Sequence, residues 1–145
     1  RAPSRDQFML AFENRFVYTK RNNSDKRIIQ YTLERLTKTQ HGGFKIDGPS
    51  IEHLLPQSAA KEDPDLEMTV GSIGNLLLVN NRINGRDLAN KPYSEKRQII
   101  KDRSPMSDTA GALSNETWDE SDIMRRTQTI GALAFDEIWR MPNMH

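Results

Sequence analysis

The chain of 145 residues contains no cysteine. That absence removes disulfides, cysteine-based zinc sites and thiol nucleophiles together, and it suits a reducing, cytoplasmic setting. Long apolar runs are missing as well. Nothing approaches the run of about 18 apolar residues that a membrane span needs. The opening RAPSRDQFML has no apolar stretch of the signal-peptide kind and does not begin with Met, so we expect a C-terminal piece of a longer protein. No Gly-rich loop of the Walker type occurs, so nucleotide turnover is not expected from these residues. Internal repeats and low-complexity blocks are absent too. Apolar residues make up only 35% and aromatics 7%, enough for one modest core under a polar surface.

A charge excess of one sign is also lacking, since the net charge is +1. The distribution is uneven, however. The balance is +6 over residues 1–45, −5 over 46–81, +4 over 82–103 and −4 over 104–145. Two basic stretches flank an acidic one, which suits either a polyanion surface around a carboxylate-bearing site or plain solvated helix faces.

Hydrophobic spacing gives the order α-α-β-β-α-α, an α+β arrangement. Ser4 can cap a first helix carrying Phe8, Phe12 and Phe16 on one face, with Met9 beside them. A second helix from Ser24 places Ile28, Ile29, Leu33 and Leu36 together and ends at His41-Gly42-Gly43. Ser50 to Leu55 reads as a short strand or arm stopped by Pro56, and 56–72 as loop. Gly74 to Val79 is the best strand candidate. Residues 80–92 read as loop, Ser94 caps a helix through Arg103, and 104–116 resembles a linker. Thr117 with Glu120 fits a capping box for a last helix bearing Ile123, Ile130, Ala134 and Ile138, with Trp118 and Trp139 as anchors at its ends. His41 and His145 are assigned to helix termination and to the tail. The expected organisation is one domain over 1–145: a helical extension (1–45), a mixed core (50–103) and a C-terminal helix (117–140).

The chemistry-bearing segment is 51–96. Glu52-His53 lies in one extended piece, Asn75 heads the apolar run, and Asn84 follows just before a helix. Strand, strand and helix carrying an acid, a histidine and amides is the frame of a ββα metal nuclease. Phosphodiester hydrolysis needs an activated water, a cation for the charge growing at phosphorus, and help for the departing oxygen. A histidine with an ordinary pKa near 6.5 can take a proton from water. A carboxylate and an amide carbonyl can hold one hard Mg²⁺ or Mn²⁺. Neighbouring strand residues point to opposite sides, so Glu52 and His53 would serve one site only through a bent arm.

The runs I51-E52-H53-L54-L55-P56-Q57, I73-G74-N75-L76-L77-L78, N84 and N90-K91-P92-Y93-S94-E95-K96 resemble the HNH endonuclease domain that ends GmrSD-type modification-dependent restriction enzymes and occurs in related anti-phage proteins. Trp118, Ile123, Arg126 and Ile138-Trp139 match the family's tail, so the resemblance covers roughly residues 50–139. It implies an HNH ββα-metal core among helices. It also implies that His53 is the general base, that Asn75 steadies the base-bearing loop, and that Glu52 and Asn84 hold the single Mg²⁺ or Mn²⁺. Asn80, Asn81 and Asn90 compete with Asn84. An asparagine in the third HNH position favours Mg²⁺ or Mn²⁺ over Zn²⁺. Arg82, Arg86, Lys91 and Lys96 are candidates to grip the backbone of double-stranded DNA. The expected activity is nicking or cleavage of DNA in bacterial defence, with an upstream NTPase or sensor domain and no membrane partner. The alternative from another class is a non-catalytic nucleic-acid-binding module on the same scaffold.

Overall fold

The computed structural model describes residues 4–15, 18 and 26–139. α1 (Arg5–Arg15) opens on a reciprocal cap: Gln7 N donates to Ser4 Oγ at 3.2 Å and Ser4 N to Gln7 Oε1 at 3.0 Å. The rings of Phe8 and Phe12 pack along it at a 30° tilt, and Phe12 is buried, while Phe16 lies outside the described residues. α2 (Lys26–Gln40) buries Ile29, Leu33 and Leu36 and stops where Gly42 and Gly43 take φ of +61° and +88°. Those angles strain any residue with a β-carbon. Ser24, the expected start of this helix, lies outside the described residues.

β1 (Pro49–His53) and β2 (Leu76–Asn80) pair antiparallel, with His53 opposite Leu76 and Glu52 opposite Leu77. Alternation along β2 explains its unbroken apolar run. Leu76 and Leu78 join Phe12, Ile29, Leu33, Leu36 and Ile130 in one cluster. Leu77 and Val79 join Leu54, Leu88, Tyr93, Ile100 and Leu113 in another. A sheet covered on both faces wants apolar residues at every position. Helices about one small antiparallel sheet make the architecture α+β.

Several expectations shift. The stretch 56–72 is not loop but holds α3 (Ser58–Glu62), a 3₁₀ turn at Pro64–Leu66 and α4 (Glu67–Gly71). Residues 80–92 are not all loop either: α5 (Asn81–Ile83) runs into a widened π turn over Asn84–Leu88. Ser94 is no cap, because α6 (Tyr93–Arg103) starts one residue before it, with Pro92 in the cap position. The expected linker is packed, with Ser107, Thr109, Ala112 and Leu113 buried. α7 (Glu120–Leu133) is capped by Asp119 with Asp122, not by Thr117 with Glu120. A carboxylate nearer the first turn wins the exposed amides because it also complements the helix dipole. A π turn, Ala134–Trp139, follows; His145 and the side chains of Ile138 and Trp139 lie outside the described set. His41 lies in the turn that follows α2, its Nε2 2.7 Å from the Asp108 carbonyl. No described helix is long and apolar enough to cross a membrane.

Candidate functional site

The site forms along the open edge of β1. Asn84 Nδ2 donates to the Ile51 carbonyl at 3.0 Å, and Lys96 Nζ donates to the His53 carbonyl at 2.6 Å. Alternate carbonyls of an unpaired strand edge thus find donors from the π turn and from α6. Asn84 Nδ2 also reaches Ser50 Oγ at 2.7 Å. Ser50 and Glu52 share a face of β1, so Asn84 sits on the side where Glu52 points.

Glu52 is 5% exposed. Its Oε2 lies 2.9 Å from Lys96 Nζ, yet the approach is off the direction of a hydrogen bond, leaving that oxygen buried without a directed donor. Burial pushes the Glu52 carboxyl above its ordinary 4.5, and the Lys96 ammonium opposes the shift. The asparagine amide of residue 84 is spent on β1 through its nitrogen, and its Oδ1 carries no hydrogen bond among the described residues.

His53 leaves β1 on the opposite face. Its ring stacks on Tyr18 at 5.8 Å between centroids, and Nε2 lies 3.2 Å from the Tyr18 carbonyl. A carbonyl can only accept, so Nε2 carries the proton and the basic lone pair resides on Nδ1. Burial pulls the imidazole below its ordinary 6.5; the Tyr18 bond opposes this, and the Lys96 charge adds to it. β1 is regular through His53, so the expected bend in the arm is not what relates the pair. Glu52 and His53 leave β1 on opposite faces, so the strand by itself does not bring the two side chains together.

Asn75 stands behind, fully buried. Its Oδ1 accepts from Leu55 N at 2.8 Å and Trp118 Nε1 at 3.0 Å, and its Nδ2 donates to the carbonyls of Leu55 and Val70 at 2.9 and 2.8 Å. All four bonds of the amide are used. Asn75 therefore clamps the residues after His53 and has no lone pair to spare for a metal. The tail helix holds this clamp in turn. Arg126, buried and in no ion pair among the described residues, donates through Nη1 to the Gly74 and Leu76 carbonyls at 3.0 and 2.7 Å. Desolvation lowers it to about 10, so it stays charged at neutral pH.

Among the competing asparagines, Asn80 is occupied: Oδ1 accepts from Arg82 N at 2.9 Å and Nδ2 donates to the Asp47 carbonyl at 2.7 Å. Asn81 and Asn90 are exposed. Arg82 and Arg86 are exposed on α5 and the π turn, while Lys91 Nζ folds back onto the Asp87 carbonyl at 2.7 Å. Lys96 is a correction. Expected to grip DNA, it is 1% exposed with its ammonium turned onto Glu52 and His53. The signal was present, because Lys96 lies four residues before the buried Ile100 and so shares its helix face. Tyr18 had no such signal; its role depends on a fold that brings it to β1.

A carboxylate and an amide oxygen are the donor types that a hard divalent ion takes. Among the described residues no group of three His, Cys, Asp or Glu side chains could hold a metal. What is present is one buried carboxylate oxygen lacking a directed donor and one free amide oxygen on the same side of β1. Mg²⁺ and Mn²⁺ accept such oxygen pairs and complete their shells with solvent and phosphate oxygens.

The chain matches the family of C-terminal domains of GmrSD restriction endonucleases over residues 2–133. The match takes in both N-terminal helices as well as the segment from residue 50 that carries the motifs. No curated protein and no solved structure matches.

Proposed function

The chain belongs to the family of C-terminal domains of GmrSD restriction endonucleases, and from that premise we propose that it is a metal-dependent DNA endonuclease domain of the HNH type. β1, β2 and α6 form the ββα frame, within one domain that includes both N-terminal helices. His53 is the general base. The observation that carries this reading is the bond from Nε2 to the Tyr18 carbonyl, which leaves Nδ1 as the unprotonated nitrogen of His53. Nδ1 takes the proton of the water that attacks phosphorus, and the lowered imidazole pKa keeps this nitrogen free at neutral pH.

Glu52 Oε2 and Asn84 Oδ1 are the residues that would hold Mg²⁺ or Mn²⁺. When bound, the ion supplies positive charge to the phosphate and to the departing oxygen. Asn75 is a positioning residue that fixes Leu55, and with it the end of the arm bearing His53. Arg82 and Arg86, with Lys91 beside them, grip the DNA backbone without reading bases. One such site cuts one strand, so nicking is the elementary event, in defence against phage or other foreign DNA. An upstream NTPase or sensor domain would supply recognition of modified DNA.

Supercoiled plasmid with Mg²⁺ or Mn²⁺ tests the reading. The protein is expected to convert it to open circles, and His53→Ala is expected to abolish this while leaving the circular dichroism unchanged. Equal cutting by His53→Ala removes the assigned base. A second reading draws on the near-complete burial of Glu52 and His53, at 5% and 8% exposure. On that reading the scaffold binds DNA without cutting it, and the plasmid stays supercoiled under either metal while binding remains salt-sensitive.

A further inference from the structure

The buried cation at the β1 edge has a role that the general-base scheme leaves unused. Lys96 is 1% exposed, and its ammonium stands 2.6 Å from the His53 carbonyl and 2.9 Å from Glu52 Oε2. Its stem leaves α6 just after the Pro92 cap, with Lys96 N donating to the Pro92 carbonyl at 3.1 Å, and it lies on the face that buries Ile100. Swinging the ammonium into solvent would withdraw the stem from that face and strip the His53 carbonyl of its donor. The cation is therefore fixed against the one carboxylate of the edge. Glu52 Oε2 nonetheless lacks a directed donor, so the pair neutralises charge without saturating the oxygen.

We propose that Lys96 is a resident counter-cation that competes with the divalent ion for Glu52, so that ion occupancy rises only when a DNA phosphate adds its negative charge. The inference rests on the reading of Glu52 as an ion ligand. A divalent ion beside Lys96 brings the positive charge there to three against one carboxylate, a net excess of two. An arriving phosphodiester halves that excess, and by reciprocity the ion then tightens the DNA as much as the DNA tightens the ion. A lysine that merely braces the edge would have the opposite signature, since its removal would loosen the site and weaken the ion.

The test is a Mn²⁺ titration of the full chain, read from the electron paramagnetic resonance signal of the free ion, which is independent of cleavage. Lys96→Met keeps the apolar stem without the charge. Lys96→Gln also keeps an N–H donor for the His53 carbonyl. Without DNA, both are expected to bind Mn²⁺ at least about tenfold tighter than the parent, because a like charge at contact distance is gone. In a His53→Ala background, which leaves the His53 carbonyl in place, a short duplex is expected to tighten Mn²⁺ more when Lys96 is present than when it is Met. Equal or weaker Mn²⁺ binding by either folded variant overturns the proposal. So does a duplex that fails to tighten Mn²⁺ on the His53→Ala protein, a measurement that needs no substitution at Lys96. No Mn²⁺ binding by parent or variants overturns the ligand reading of Glu52, and the proposal with it.

Discussion

His53 illustrates how much one side chain depends on a partner remote in sequence. Through the family resemblance the E-H-L-L-P-Q frame singles it out as the proposed base, but nothing near it announces Tyr18, 35 residues upstream, whose carbonyl selects the tautomer and whose ring covers the imidazole. Burial there lowers the pKa from 6.5. The unfolded chain consequently takes up a proton on this residue at a pH where the folded one does not. The stabilising contribution of His53 is full above the unfolded value and is lost as pH falls through the folded one. Glu52, raised above 4.5, works with the opposite sign: its contribution is present below the unfolded value and fades as pH rises through the folded one. Urea unfolding in EDTA at about pH 7.5 and about pH 5.5 separates the two. The parent is expected to lose more stability on acidification than His53→Gln does; equal losses would show that the imidazole is not held neutral. From its place after Gly74, Asn75 reads only as a turn residue; its loop-steadying role comes from the family resemblance, not from local sequence. Lys96 departs from expectation because its charge suggests solvent or phosphate, whereas its i,i+4 relation to the buried Ile100 turns it inward.

Elements were readable where a repeating apolar face fixed them and unreadable where a single polar contact decided. The faces of α1 and α2 and the run of β2 follow from spacing alone. The true cap of α7 is Asp119, whose carboxylate accepts from Ser121 N and Asp122 N at 2.9 and 3.1 Å, a choice that Thr117 matched equally well on paper. The turn Ile73–Asn75 owes its shape to α7 rather than to its own sequence. Gly74 N donates to Thr127 Oγ1 at 3.0 Å, and a β-carbon on Gly74 would collide with the Ile123 carbonyl and the Thr127 hydroxyl. Helix backbone has nowhere to retreat, so Gly74→Ala is expected to cost more than about 3 kcal/mol and to disturb the Asn75 clamp with it. Gly85, in the π turn with open space around its missing β-carbon, is the control, and Gly85→Ala is expected to stay within about 1 kcal/mol of the parent. Urea midpoints of the two variants check this. A tolerated Gly74→Ala would mean that the turn and α7 are not locked together.

Across the whole molecule the net charge is only +1, so any attraction for DNA is local rather than global. Arg82 and Arg86 are exposed and are the cations proposed to supply it. Arg82→Ala with Arg86→Ala is expected to weaken duplex binding evenly across sequences and to lower the slope of log affinity against log salt by about 2. An unchanged slope, measured by fluorescence anisotropy at several salt concentrations, would move the DNA to another face. Sandwiching of the sheet between two cores was foreseeable from the apolar run of β2, whereas the packing of the N-terminal helices against α7 and the cover that Tyr18 lays on His53 are long-range outcomes that no local pattern encodes.

The assignment of Glu52, Asn84 and His53 to one centre meets its sharpest check in crystals soaked with Mn²⁺ and measured for anomalous scattering. An anomalous peak in contact with both Glu52 Oε2 and Asn84 Oδ1, on the side of β1 that Ser50 shares, is the predicted result. A peak bound instead to Asn81 or Asn90, or a β1 edge that stays free of manganese at saturating concentration with DNA present, would contradict it.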